Sequence, residues 1–366
     1  MNDMKIIKKQ RILFIIRSLT GGGAERVVSV LCNSLVKQNY DIHIILYEKS
    51  NNNYRIDDKV NVHYMPHRKD SIITKLKRIT DMKKIIKEIS PDIIIPFVGT
   101  ILYVSYLASR FTNAYFIRTI RDSPWHEEGK MIDKIMRNYI NRKCDAIMVQ
   151  NDEQKSFFDN QLNKKIYVVN NPISPEFIEN KKNIYNKNIT NIISVGRLTN
   201  QKNHEMLIRA IYDLKNTYPN IKLKIFGDGP NKNKLLELIK KYNLSNTVFL
   251  KERTNNIMEE LISSDLFVMT SRYEGMPNAL MEAMAIGLPC ISSDCKTGPK
   301  TLIDSNKVGL LYEEGSLDDL ELKIKKVLSE HSKVENIGKK AREKIINNYS
   351  ENIVIKEFMD MINNIR

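Results

Sequence analysis

The stretch "NIISVGRLTNQKNHEMLIRAIYDLKNTYPNIKLKIFG", Asn191 to Gly227, decides the architecture. It opens with a short apolar run, NIISV, that ends at Gly196. A helix-forming segment follows from Asn203, with apolar residues at helical spacing, and then a second apolar run, KLKIFG. Strand, turn, helix and strand at these lengths make one crossover unit of a parallel sheet. After it come strands at TVFL, LFVMT and PCISS, with helices between them and from about Leu317 onward.

The same order has already run once. RILFII, DIHIILYE, DIIIPFV, AYFIRTI and AIMVQ read as strands, and helices near 24–38, 71–90, 101–110 and 131–143 separate them. Between the two runs, YVVNNPISPEFIENKKNIYNKNIT loses all periodicity and carries two prolines. The expectation is an α/β protein of two Rossmann-like parallel-sheet domains facing across a cleft. The first would cover 1–170 and the second 190–366, joined by a linker at 171–189. A last helix at about 350–366 is expected to pack back on the first domain.

Composition narrows the function classes. The chain has 366 residues, 42% hydrophobic, enough for two ordinary cores. No run of eighteen apolar residues occurs, so no membrane-spanning helix is expected. The N-terminus is not a convincing signal peptide. Four cysteines without a metal-ligand pattern suit a reducing cytoplasm, and neither a metal nor a cofactor is expected. Lysine and arginine number 58 against 43 acids, a formal charge of +15. That excess suggests an anionic partner, although a lysine-rich coding bias accounts for much of it. No basic stripe interleaved with aromatics supports nucleic-acid binding.

The chemistry-bearing residues cluster after the strands. Arg272 to Pro289 reads "RYEGMPNALMEAMAIGLP", with Glu274 in a turn and Glu282 eight residues on, inside a helix. Pro277 suits a helix start, and Gly287 and Pro289 end it. Free N–H groups over Met276 to Ala279 would form an anion site at the helix N-terminus, and Gly275, Met276, Pro277, Asn278 and Ala279 are candidate donor-binding residues. Carboxylates flanking an anion repel it, so they are better read as acceptors for neutral hydroxyls. A nucleotide-sugar has hydroxyls at both ends and phosphate between. Taken alone, an amphipathic helix with solvated acids explains the element equally well. Arg197 and Lys202 follow one strand and suit a diphosphate. Gly227 and Gly229 follow the next, and Arg253 the next again. In the first half, Gly21–Gly23 open a helix, and Gly22 and Gly23 would let a ligand approach the backbone. A structural turn explains them almost as well.

These residues carry a resemblance. The chain resembles retaining glycosyltransferases of the GT-B fold, in the large family four that includes bacterial surface-polysaccharide enzymes. "GGGAERVV", "VGRLTNQKN", "FGDGP" and "SRYEGMPNALMEAMAIGLPCISSDCKTGP" carry it, over nearly the whole chain. The resemblance implies that Arg197 and Lys202 bind a donor diphosphate, Glu282 the ribose and Glu274 the transferred sugar. It implies transfer of a hexose or N-acetylhexosamine, UDP-linked by the family's habit, to a saccharide or undecaprenyl-linked acceptor. A positioning role for Glu274, as an exposed turn residue, is preferred to covalent attack. Many relatives carry a histidine where Arg121 stands, so Arg121 is a candidate catalytic residue, with Asp122 and His126 nearby. A nucleotide-sugar epimerase and a catalytically silent partner subunit are the alternatives.

One helix needs a separate reading. Arg68 to Lys87 holds eight basic and two acidic residues, and Ile72, Leu76, Ile79, Ile86 and Ile89 repeat at helical spacing. The stripe is expected to pack on the sheet. The outer charge suggests contact of helix 72–89 with an anionic membrane, which places the protein in the cytoplasm at the inner face of the plasma membrane.

Overall fold

The computed structural model describes residues 9–48, 54–66, 72–97, 99–126, 131–158, 162, 165–182, 189–254 and 256–365. Two compact units emerge: residues 1–172 with 351–366, and residues 173–350.

The first unit holds a parallel sheet of seven strands: β1 (Arg11–Ile16), β2 (Asp41–Leu46), β3 (Asn61–Tyr64), β4 (Ile93–Pro96), β5 (Tyr115–Thr119), β6 (Ala146–Val149) and β7 (Ile166–Val168). Their spatial order is β3-β2-β1-β4-β5-β6-β7. A strand covered on both faces has no need to alternate apolar with polar residues. β1 shows this directly. Ile12, Phe14 and Ile16 pack on one face with helix Gly23–Lys37 and helix Glu351–Ile365, while Leu13 and Ile15 pack on the other. That other face is covered by helices Ile72–Ile89, Gly99–Ser109 and Met131–Lys143. Helix Glu351–Ile365 belongs to this unit through Val354, Phe358, Met361 and Ile362, and the Phe358 ring stacks 6.1 Å from Phe14.

The second unit holds six parallel strands: β8 (Asn191–Val195), β9 (Lys222–Phe226), β10 (Val248–Lys251), β11 (Leu266–Met269), β12 (Cys290–Ser293) and β13 (Leu310–Tyr312). Their order is β10-β9-β8-β11-β12-β13. The chain therefore builds outward from β8 on one side, then crosses over and builds outward from β11 on the other.

Two expectations need correction. The segment from Ile173 is not a free linker. Ile173 and Phe177 are buried in the second unit's core, helix Pro175–Glu179 forms there, and Lys182 donates to the carbonyls of Ile262 and Ser264. Residues 183–188 of that segment lie outside the described residues. Second, the apolar stripe of helix Ile72–Ile89 is only partly buried. Ile86 and Ile89 are in the core and Ile79 packs against it, but Leu76 is 64% exposed. Arg68 to Asp70 and the side chains of Ile72 and Lys75 lie outside the described residues.

Candidate active site

In an open parallel sheet, the crevice forms where neighbouring strands send their crossovers in opposite directions. In the second unit that point lies between β8 and β11. Arg197 and Lys202 follow β8, and Glu274 follows β11, so the strand order brings residues 72 apart in sequence to one place.

Hydrogen bonds lock the two loops together. The Arg272 amide donates to the Gln201 carbonyl at 2.8 Å, and Gln201 Nε2 donates to the Tyr273 carbonyl at 3.0 Å. Thr270 Oγ1 donates to the carbonyls of Lys202 and Asn203 at 3.0 and 3.1 Å. Across this brace Lys202 Nζ forms an ion pair with Glu274 Oε1. Both side chains are largely withdrawn from water, at 18% and 7% exposure. Arg197 is exposed and donates to Gln201 Oε1 at 3.2 Å, which aims its guanidinium along the same loop.

Glu274 is therefore buried, contrary to the exposed turn position expected for it. The cause is a third loop. Thr297 Oγ1 donates to the Glu274 carbonyl, and Tyr273 bridges to Lys296. Gly298, at φ +89°, lies so close that an added Cβ would sit 2.5 Å from the Gly275 carbonyl oxygen. The loop after β12 thus presses the Glu274–Pro277 turn inward.

Helix Asn278–Ala285 begins immediately after that turn, with Pro277 at its cap in an extended conformation. Proline stands one position earlier than expected, outside the helix. Gly275, Met276 and Pro277 are buried, whereas Asn278 and Ala279 are half-buried. Glu282 is buried too, at 5% exposure. Gly287, at φ +86°, closes the helix with its amide on the Met284 carbonyl.

Gly227 and Gly229 have a structural reason that needs no ligand. A Cβ on Gly227 would sit 1.9 Å from the Gly196 carbonyl oxygen, and one on Gly229 2.6 Å from that of Leu198. They let the loop after β9 lie directly on the loop after β8. Arg253 is exposed and follows β10, the outermost strand on that side of the sheet.

Two further groups are set by this packing. His204 begins helix His204–Leu214 with its ring buried and Nδ1 unpartnered among the described residues. Burial, then the Lys202 cation, pushes its pKa down to about 3, so the ring is neutral. Burial, then the Glu274 charge, pushes the Cys295 thiol up to about 12, which removes it as a nucleophile at neutral pH. Among the described residues no cluster of histidine, cysteine and carboxylate suits a metal ion.

In the first unit, the switch lies between β1 and β4. Gly22 caps helix Gly23–Lys37, and the Glu25 carboxylate fills the space a Cβ on Gly22 would need. The helix N-terminus is thus neutralised by its own first turn. Arg121 follows β5, and its guanidinium carbon lies 4.6 Å from the ring centre of Phe97, which follows β4. All three guanidinium nitrogens are sealed from solvent and lack a partner among the described residues. Burial lowers its pKa to about 9, still cationic at pH 7. His126 is exposed, as a surface-loop position would be.

Both halves match known families. The family described as glycosyl transferases group 1 matches residues 175–344, and the glycosyl transferase 4-like family matches residues 18–151. The chain belongs to the group 1 glycosyltransferases. An uncharacterised glycosyltransferase of Methanocaldococcus jannaschii is 35% identical over 252 residues, 62% of each chain. The aligned part thus spans about three fifths of that relative. A Campylobacter jejuni enzyme is 28% identical over 329 residues, 83% of this chain and 86% of its own. Its name is N-acetylgalactosamine-N,N'-diacetylbacillosaminyl-diphospho-undecaprenol 4-alpha-N-acetylgalactosaminyltransferase. A Staphylococcus aureus TarM structure with UDP superposes at a TM-score of 0.80, with 18% identity, covering 97% of this chain and 100% of that one. The glycosyltransferase has the GT-B fold, with its two parallel sheets as the two Rossmann-like parts.

Arg197, Lys202, Glu274 and Glu282 were singled out by residue type, whereas the residues that brace the Lys202 and Glu274 loops carry no such mark. Gln201, Thr270 and Thr297 act through backbone carbonyls, and no spacing rule announces such bonds. Gly298 left a signal, a glycine before proline within the quoted motif.

Proposed function

We propose that this glycosyltransferase moves a hexose or N-acetylhexosamine from a UDP-sugar to a saccharide or undecaprenyl-linked acceptor, with retention, in cell-surface polysaccharide synthesis. The observation that carries the reading is the Lys202–Glu274 pair at the switch point of the second sheet, beside the start of helix Asn278–Ala285. The pair holds a cation and a sugar-hydroxyl acceptor side by side. The substrates named for the Campylobacter relative, and the UDP in the Staphylococcus structure, support the donor and acceptor classes.

The residues divide by chemistry. Arg197 and Lys202 take the diphosphate, helped by the helix N-terminus at Gly275 to Ala279. Glu274 accepts from hydroxyls of the transferred sugar, and Glu282 from the ribose. The backbone at Gly227, Gly229 and Arg253 takes the base. Gly22 and Gly23 are the first-unit residues assigned to the substrates, and Arg121, its nitrogens sealed from solvent, is assigned only the field of its charge. The bond from the anomeric carbon to the phosphate oxygen breaks, and the leaving charge is stabilised by the cations. The acceptor oxygen bonds to that carbon on the same face, and its proton passes to the departing phosphate oxygen. Glu274 is held by Lys202, so its lone pairs serve position rather than covalent attack. The undecaprenyl acceptor would bring the enzyme to the inner face of the plasma membrane, with basic helix Ile72–Ile89 toward anionic lipid.

A panel of nucleotide-sugars read by thermal shift tests the donor, and proton coupling in the product tests the stereochemistry. An α-linked donor is expected to give an α-linked product. A β-linked product would overturn the mechanism. Epimerised donor without transfer would make the protein an epimerase, and no donor binding at all would make it a silent partner. Glu282→Ala is expected to weaken UDP binding about tenfold or more, since a hydrogen bond to a charged group contributes roughly 1.5–3 kcal/mol. If the variant loses as much affinity for a 2′,3′-dideoxy donor, the ribose assignment is wrong.

A further inference from the structure

Helix Met131–Lys143 is inside out. At about 100° per residue, Met131, Ile132, Ile135 and Tyr139 fall on one stripe, and Arg137, Ile140 and Asn141 fall on the opposite side. An ordinary surface helix turns its apolar stripe to the core. Here the reverse holds for most of the length: Met131 is 81% exposed, Ile132 66%, Ile135 60% and Tyr139 49%. The buried side carries Asn141, whose amide oxygen accepts from the buried Arg118, and the Arg137 carbonyl, which accepts from the same guanidinium. These polar bonds fix the rotation of the helix, so the exposed stripe is not a loosely docked face.

The stripe continues onto the neighbouring helices of the same sheet face. Tyr103 donates to the Asp133 carbonyl at 3.1 Å, and the Tyr106 and Tyr139 rings meet edge to face. Beyond them Leu107 and Phe111 are exposed, and so is Leu76. Lys83 Nζ sits 3.4 Å above the exposed Phe111 ring. Ten of the thirteen large apolar side chains exposed among the described residues belong to the first unit. Cations surround the stripe. Lys134, Arg142 and Lys143 are exposed on the helix itself, as are Arg110, Lys77 and Lys84 on its neighbours. The helix has one carboxylate, Asp133, and it is half-buried.

We infer that this face is a lipid-docking surface: Met131, Ile132, Ile135 and Tyr139 enter the headgroup and upper acyl region of an anionic bilayer, and the surrounding lysines and arginines meet its phosphates. Apolar insertion with basic flanks is the pattern of a helix that lies in the membrane plane. A protein partner is the poorer fit, because protein interfaces are depleted in lysine where the apolar core is buried. The inference deepens the membrane contact proposed above by moving its apolar anchor to Met131–Lys143 and leaving helix Ile72–Ile89 an electrostatic share. It does not depend on which sugar is transferred.

The test is flotation of the full chain with vesicles of phosphatidylcholine, alone or mixed with phosphatidylglycerol. Ile132→Ser with Ile135→Ser is expected to lower the partition coefficient at least tenfold at both low and high salt, with an unchanged melting temperature. Lys77→Glu with Lys84→Glu is expected to lower it only at low salt, where the Debye length is about 10 Å. The parent should bind the mixed vesicles more tightly than the neutral ones. A serine variant that floats like its parent would overturn the inference. So would a parent that does not float but forms a dimer in the ultracentrifuge that the serine substitutions abolish, since the face would then be a subunit contact. Transfer to a short soluble acceptor should be unchanged in the serine variant. Flotation without any sugar transfer would sink the proposed reaction and leave the docking surface standing.

Discussion

Glu274→Gln separates the two roles given to the Lys202–Glu274 pair. In the free protein the carboxylate neutralises Lys202. A phosphate oxygen accepting from Lys202 would lie about 3 Å from its nitrogen, hence within about 6 Å of the carboxylate. Two unit charges at about 6 Å, with an effective dielectric near 20, repel by roughly 3 kcal/mol. Lys202 is present in both proteins and cancels in the difference, while solvent and salt around the bound phosphate screen about half of the repulsion. Replacing the carboxylate by an amide should therefore favour UDP by about 1.4 kcal/mol, a tenfold fall in Kd. Sugar transfer should fall at the same time, because the acceptor for the sugar hydroxyls is weakened. Lys202→Met should do the opposite to UDP, raising its Kd tenfold or more. It also strands Glu274 in a buried position, where an uncompensated charge costs about 3–5 kcal/mol, so Tm should fall. The Lys202→Met/Glu274→Gln double variant should recover most of that stability and none of the affinity. Calorimetric titration with UDP, with melting curves as the control for folding, reads all four proteins. Unchanged or weaker UDP binding in a well-folded Glu274→Gln protein would refute the placement of the diphosphate on Lys202.

Three other outcomes are expected. Arg121→Met removes a buried cation that has no hydrogen-bond partner among the described residues and keeps an apolar side chain against Phe97, so it should raise stability by about 1 kcal/mol while lowering transfer; a marked fall in Tm would mean that the contact with the Phe97 ring compensates the charge. His204 is held neutral, its pKa pushed down to about 3, so the unfolded chain takes up a proton that the folded chain does not. Its contribution is present above about pH 6.5 and is lost as the pH falls toward 3, about 3 kcal/mol of it by pH 4.5. His204→Met should flatten the stability curve over that range by about one proton, and an unaltered slope in denaturant titrations would contradict the burial. Gly227→Ala drives a methyl into the Gly196 carbonyl and should cost about 2–3 kcal/mol in chemical denaturation, with both sheet loops disturbed; a neutral substitution would show that the loops can part.

The alternation of strands and helices was legible because parallel strands buried on both faces write unbroken apolar runs, as RILFII does. Arg197, Lys202 and Glu274 were named from their charge and their place after β8 and β11, and the strand order does bring Lys202 and Glu274 together. What sequence did not carry is depth and direction. Glu274 reads as a turn residue, yet Thr297 and Gly298 on a distant loop press it inward. Leu76 and Ile135 sit at good helical spacing, yet face solvent, because periodicity names a stripe without saying which way it turns. Ile173 and Phe177 fell in a stretch without period and are buried all the same, since a single helical turn is too short to show one.

The return of helix Glu351–Ile365 to the first sheet has a consequence for synthesis. Val354, Phe358, Met361 and Ile362 complete the core beneath β1, but the ribosome makes them only after the whole of the second unit. The 178 residues from Ile173 to Ser350 take roughly ten to forty seconds to translate. Throughout that interval the nascent chain carries Phe14 and its neighbours without their cover, and by its end everything the second unit needs has been made. The part encoded second can close first, and the part encoded first waits for the final helix. Chains arrested at Ser350 should therefore show a protease-resistant second unit joined to a protease-sensitive first one, and a chaperone that shields the first strands would act in that window and not after it.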